Sequence, residues 1–423
     1  MAGAEERIGP QGWMSAPATR RVMGAFAKAG IDARFVGGCV RDALLERTVT
    51  DIDIATPVPP ERAIEILEAA GLVVHPTGIK HGTVTAISDR RPFEITTLRR
   101  DVESFGRHAR VEFTDDWQQD AARRDFTMNA IFCDAQGRLY DFFGGIGDAR
   151  AGRVRFVGDP VERIREDVLR LLRLFRFQAH YGRVPPDKSA LDAAEKMADQ
   201  LPNLSGERIR NEFLRLLAAP DPLPVLDLMR ARRVLDHCLA EARAFGRLAA
   251  LVRLENELPK HLTGGVDPIR RLAALLDSEN EVRAVAERLR LANRDGERLV
   301  ALSGMRSSPQ PLSVAAQHAR IHAEGANLFR DRVLLDWAAM NTEAAPDQID
   351  GAGWNAMLET AAEWVAPALP VKGADALALG IEPGPRVGAL IDEVERWWIE
   401  GDFRADRAAC LARLRELAGD ATG

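Results

Sequence analysis

Cysteine is scarce in this chain and scattered: Cys39, Cys133, Cys238 and Cys410 are the four among 423 residues. None neighbours another in sequence, which excludes a zinc knuckle and a Cys-x-x-Cys redox pair. A reducing compartment is the simple expectation. No apolar run reaches the ~18 residues that a membrane-spanning helix needs. The start of the chain carries Glu5, Glu6 and Arg7 and lacks an apolar segment, so no secretory signal is expected. These absences predict a soluble cytoplasmic protein with no membrane partner. Positive charge is short as well: the net charge is −6, so no global basic field announces a nucleic acid. There is no repeat of fixed period and no low-complexity tract. The His-Asp pairs of a metal phosphohydrolase are missing too, since the one similar spot, Asp236-His237, is reversed and isolated.

What is present has a clear division. The length predicts about two to three domains, and 46% hydrophobic residues suffice for several small cores. Residues 20–140 read as mixed α and β. A helix over 15–30 ends at Gly30, a short strand at 33–38 runs into Gly37-Gly38, and a helix follows at 40–46. Further strands are expected at 51–55, 72–75, 83–88 and 92–98, with an amphipathic helix at 61–70. From about residue 160 the spacing turns helical and convincing strands disappear. Helices are expected at 160–180, 188–200, 205–218, 223–232, 238–256, 267–277, 280–292, 312–323, 386–399 and 404–418, with Gly- and Pro-rich loops near 343–352 and 366–386. Residues 150–183 hold nine arginines against four acids, a local excess of five positive charges.

Three phrases in the first quarter carry chemistry. Asp51 and Asp53 sit two apart, which on a strand puts both side chains on one face. Magnesium takes oxygen ligands from one or two carboxylates plus substrate phosphates, and two such ions can clamp the attacking and leaving oxygens of an in-line displacement. Glu94, on a nearby strand, could complete the set. Taken alone, Asp-x-Asp reads more readily as the solvated face of an edge strand. Gly37 and Gly38 end a strand and precede a helix; glycine allows close backbone approach, and successive N–H groups at a helix start attract phosphate. Arg41 adds charge one turn later.

At this point the residues resemble a known family, the class II tRNA nucleotidyltransferases and bacterial poly(A) polymerases. Its first motif is matched by Gly37-Gly38-Cys39-Val40-Arg41-Asp42 followed by Asp51-Ile52-Asp53. Its second is matched by Arg123-Arg124-Asp125-Phe126-Thr127-Met128-Asn129-Ala130. Asp141-Phe142-Phe143-Gly144-Gly145, Glu166-Asp167-Val168-Leu169-Arg170 and Glu207-Arg208-Ile209 follow in family order. The resemblance implies an α+β fold: a polymerase-β-like nucleotidyltransferase head over 1–150, an all-α neck over 151–220, a helical body over 221–330 and a helical tail over 331–423. It implies two Mg2+ ions held by Asp51 and Asp53, with Glu94 as the third acid. It implies Gly37, Gly38 and Arg41 on the triphosphate, Arg124 and Asp125 on the nucleotide's sugar and phosphates, and Asp167 and Arg170 on its base. The substrates implied are CTP, ATP and the acceptor arm and 3′ end of tRNA, with closest likeness to bacterial CCA-adding enzymes.

The fourth motif also has a direct chemical reading. An aspartate accepts hydrogen bonds and an arginine donates them. Adenine and cytosine each present an exocyclic amine beside a ring-nitrogen acceptor, so Asp167 with Arg170 complements both. Guanine and uracil present the reverse order and would leave both protein groups mispaired, which a binding site rejects strongly. On one continuous helix, steps of three residues drift by about 60°, so Arg173 would reach the same ligand, on its triphosphate; Arg176 is a further nucleotide-binding candidate, although it would point away from Asp167. The plain alternative is an i, i+3 salt bridge between Asp167 and Arg170 on a solvated face.

Other features read more simply. His81 is expected in a turn, residues 99–115 as a flexible polar loop beside the site, and the segment from Val371 to Trp398 as a structural corner of the tail. Within the same chemistry, poly(A) polymerase or a CC- or A-adding enzyme remain alternatives; a catalytically silent RNA-binding relative is the alternative of another class.

Overall fold

The computed structural model describes residues 6–105, 108–303, 311–343 and 351–420. The chain divides into two units, Met1–Ala240 and Glu241–Gly423. In the first, strands β1 (Arg34–Val36), β2 (Asp53–Thr56), β3 (Val73–Gly78), β4 (Thr83–Ser88) and β5 (Arg91–Thr97) precede β6 (Arg99–Phe105) and β7 (His108–Phe113). Then come β8 (Ile131–Cys133) and β9 (Leu139–Asp141). Seven of them make one sheet in the order β3–β4–β5–β2–β1–β8–β9. Its neighbours are antiparallel except β2 and β5, which run parallel.

Alternation builds a core on each face. Phe35, Ile54, Val84, Phe93, Ile95, Ile131 and Cys133 join one cluster with Val22, Phe26, Ala63 and Leu67 from the helices Pro17–Lys28 and Pro60–Ala69. The residues between them, Val36, Ala55 and Phe132, turn to the other face and join Leu98, Ala121 and Val157, as a period of two requires. Each of the two helices starts with proline, where the missing N–H would lack a partner anyway.

Several expectations shift. The strand expected at 51–55 begins at Asp53, so Asp51 lies just ahead of it. The loop expected over 99–115 is instead the β6–β7 ladder, with residues 106–107 outside the described set. The single helix expected at 160–180 is two, Pro160–Glu166 and Leu169–Tyr181. Asp167 stands between them with an extended backbone, φ −152° and ψ 108°. The loop expected at 343–352 falls mostly on 344–350, outside the described residues.

The second unit has helices and no strand among its described residues. Asn293–Ser303 and Ala326–Glu343 are helices that periodicity did not single out. Within the second unit lies a buried charge cluster. Arg270 donates to Glu255 and Asp331, Arg271 donates to Glu255, and the four side chains are 0–1% exposed. Arg298 reaches Asp331 and Asp267 from the edge. Such a cluster is stable only when complete, because removing one partner strands a buried charge. Glu255→Gln is therefore expected to cost about 3–5 kcal/mol in urea unfolding followed by tryptophan fluorescence. A loss below about 1 kcal/mol would contradict this account of the cluster.

Candidate active site

The glycine turn is built as its sequence requires. Gly37 has φ 73° and precedes the helix Gly38–Leu44, a backbone region that side chains with a Cβ rarely adopt. A Cβ on Gly37 would lie 3.6 Å from Arg124 Nη1, so the Arg124 guanidinium closes over the turn. Arg124 is fixed from below: its Nε and Nη2 donate to Asp120 at 3.2 and 2.8 Å, and Arg123 donates to the same carboxylate. Asp120 is 1% exposed. Burial pushes its carboxyl up, and the two guanidiniums overturn this and hold it below the usual carboxylate range.

The three acids converge. The parallel ladder places Asp53 directly beside Glu94. Burial, then the charges of Glu94 and Asp51, push the Asp53 carboxyl up to about 6, with Arg124 pulling the other way. Asp51 and Glu94 are exposed and Asp53 is half-buried. Cys39 lies beneath, its thiol donating to the carbonyls of Val36 and Asp53. Burial raises that thiol to about 12, so it acts as packing and not as a nucleophile.

Arg41 is 7% exposed and faces inward. It donates to Asp42 at 3.0 and 2.9 Å, to Asn129 Oδ1 at 2.6 Å and to the Tyr181 hydroxyl at 2.7 Å. It therefore braces the turn through these three partners. Asp125 is also enclosed. Its Oδ1 accepts from the Phe126 amide and Asn129 Nδ2, and its Oδ2 accepts from Arg173 Nε at 2.8 Å. Burial pushes its carboxyl up, but Arg173, Asn129 and the amide outweigh it and bring it down to about 2.

The helix break changes the geometry of the fourth motif. The stepwise rotation counted from Asp167 does not apply, because Asp167 precedes the Leu169–Tyr181 helix, and its Oδ1 accepts from the Leu169 amide at 3.1 Å. The Asp167 and Arg170 side chains do not pair with each other; only the Arg170 amide meets the Asp167 carbonyl, at 3.0 Å. Arg208 Nη2 donates to both Asp167 oxygens at 3.0 and 2.7 Å. Arg170 donates to Glu166 and to the carbonyls of Arg163 and Arg123. Arg173 and Arg176, on successive three-residue steps, both reach Glu212, at 3.7 and 2.6 Å.

Asp120, Asn129, Tyr181, Arg208 and Glu212 are thus partners of the candidate site residues to which sequence reasoning assigned no role. Asn129 and Arg208 stand inside matched motifs, so their signal was present; Tyr181 carried none. Among the described residues no group of three His, Cys, Asp or Glu is assembled to hold a metal ion unaided.

Comparison with known proteins agrees with this architecture. Residues 33–155 match the Poly A polymerase head domain, and 185–245 match the Probable RNA and SrmB- binding site of polymerase A. The chain is 32% identical over 400 residues to the mouse (Mus musculus) "CCA tRNA nucleotidyltransferase 1, mitochondrial", covering 92% of this chain and 88% of that one. It is 29% identical to the "CCA-adding enzyme" of Limosilactobacillus fermentum, covering 94% and 96%. The crystal structure of Bacillus stearothermophilus CCA-adding enzyme in complex with CTP superimposes with a TM-score of 0.70 at 27% identity, over 96% of this chain and 99% of that one. With the head, the acids and the neck motifs in place, this chain belongs to the family of CCA tRNA nucleotidyltransferases, the CCA-adding enzymes.

Proposed function

We infer that this chain adds C, C and A to the 3′ end of tRNA from CTP and ATP, without a template and with release of pyrophosphate. The observation that carries the reading is the Asp53–Glu94 register, with Asp51 just ahead of it and Arg124 closing the glycine turn. The donor set suits magnesium. It is all carboxylate. Burial and then the neighbouring charges of Glu94 and Asp51 push the Asp53 carboxyl up, a cation would relieve that repulsion, and phosphate and water oxygens would complete the shell. Asp51 and Asp53 would hold two ions, which when bound activate the RNA 3′-hydroxyl and neutralise the departing pyrophosphate. Glu94 beside Asp53 adds negative charge that strengthens the hold on cations. Arg124 and the amides of Gly37 and Gly38 orient the triphosphate. Asp167 accepts from the base amine and Arg170 donates to the ring acceptor, which selects C and A. Asp125, Arg173 and Arg176, joined through Glu212, fix the wall on which those two residues stand, and Arg41 fixes the floor.

The helical remainder divides in this reading into neck to 220, body to 330 and tail to 423, with tRNA held by its acceptor arm. Recognition there rests on shape and backbone, as A-form RNA permits. Four buried, free cysteines suit the cytoplasm, where we place the enzyme.

Incubating the protein with tRNAs ending before the first C, after CC, or complete, with each labelled triphosphate, tests the activity. Incorporation of C, C and A followed by arrest is expected. Long A tails on unrelated RNA would mean a poly(A) polymerase instead, and loss of only C or only A a partial enzyme. Asp53→Ala is expected to reduce incorporation by at least a thousandfold, or about 4 kcal/mol of barrier, and chelation of divalent metal to abolish it. Without divalent metal, Asp53 should also be a liability to the fold. Its folded value near 6 lies above the ordinary 3.8, so the penalty is absent below about pH 4 and complete above about pH 6. Asp53→Asn is expected to raise stability in chelator at pH 8 by roughly 1–2 kcal/mol in urea unfolding, with the gain vanishing toward pH 4. An equal effect at both pH values would show the repulsion misassigned.

A further inference from the structure

The two proposed base readers are opposite charges three residues apart, the spacing at which an aspartate and an arginine commonly neutralise each other on a helix. Here they do not. The helix breaks at Asp167, and each reader is taken by a different partner: Asp167 by Arg208, Arg170 by Glu166. Arg208 comes from another helix, Gly206–Leu217. We propose that Arg208 is a specificity-determining positioning residue: it holds the Asp167 carboxylate apart from Arg170, so that an acceptor and a donor stand side by side for the incoming base. The proposal rests on Asp167 and Arg170 being the base readers.

The geometry supports the role in three ways. Arg208 uses one nitrogen, Nη2, for both carboxylate oxygens, and the Leu169 amide takes a further place on Oδ1. A carboxylate has about four acceptor positions, so one remains for an exocyclic amine. Asp167 stands in the break between the two helices, and Arg208 and the Leu169 amide are the hydrogen-bond donors to its carboxylate. The pair is also open to a ligand, with Arg208 22% and Asp167 24% exposed. Arg170, by contrast, is tied to Glu166 and two backbone carbonyls and stays put if Arg208 is removed. Loss of Arg208 would free Asp167 to turn onto Arg170, spending both readers on each other. The chemistry would then run with its acids and phosphate contacts intact but with poor choice of base.

The test compares CTP with UTP, and ATP with GTP, as ratios of kcat/KM on the appropriate tRNA, in the wild type, Arg208→Gln, Arg208→Lys and Asp167→Ala, with melting temperature followed in parallel. Arg208→Gln is expected to lower both discrimination ratios at least tenfold, chiefly through a raised KM for the correct nucleotide. Arg208→Lys, which keeps a donor to the carboxylate, is expected to recover part of the loss. A merely structural arginine would lower stability or kcat for all nucleotides alike and leave the ratios unchanged. Wild-type ratios in every folded Arg208 variant, beside lost discrimination in Asp167→Ala, would overturn the proposal and leave the base-reading assignment standing. Wild-type ratios in Asp167→Ala as well would overturn the base-reading assignment itself.

Discussion

The pairing of Asp125 with Arg173 is the joint on which the first unit depends. Asp125 lies in the segment that matches the head domain and Arg173 on the helix Leu169–Tyr181; Asp125 is buried and Arg173 partly so. From Asp125 the polar contacts continue to Asn129, then to Arg41, then to Tyr181, which sits on the same helix as Arg173. The chain of contacts therefore leaves the neck helix at one end and returns to it at the other. Every member is satisfied by the next, which is the condition for a buried polar network to rigidify rather than weaken a fold. The glycine turn rests on this closed loop through Arg41.

The same constraint explains the use of the arginines between 150 and 183. Arg163, Arg170, Arg173 and Arg176 pair with Glu166, Asp125 and Glu212, and Arg153 and Arg155 share Asp148. Arginine suits this work because its planar fork meets two acceptors at once and never loses its charge. A count of charges along the sequence registers the cations but not acids that arrive from forty residues away.

Much of the head was legible beforehand because its signals are local. Glycine at Gly37, proline at Pro60 and alternation along β4 and β5 each act within a few residues, and Asp53 with Glu94 followed from two adjacent strand readings. The fourth motif was readable as chemistry but not as geometry. Val168, Leu169, Leu171 and Leu172 continue a helical pattern straight through the break, and periodicity cannot see that Asp167 is drawn off by Arg208. The partners of Arg41 were hidden for a similar reason: Tyr181 follows Arg41 by 140 residues, and only the fold brings them together. The Ala326–Glu343 helix escaped because it is apolar on several sides and shows no single stripe.

The parallel register of β2 and β5 has a consequence for how the two candidate acids are inherited. Asp53 and Glu94 repel each other and contribute nothing to holding the two strands in line. Alignment comes from the next rung, where Ile54 meets Ile95, 0% and 1% exposed and locked into the core below. A slip of one residue in either strand would take its isoleucine off this core face and carry its acid into it. The position of the acids is thus encoded in greasy side chains buried away from the surface, and selection acting only to keep this core dry would preserve the placement of the two carboxylates as a by-product.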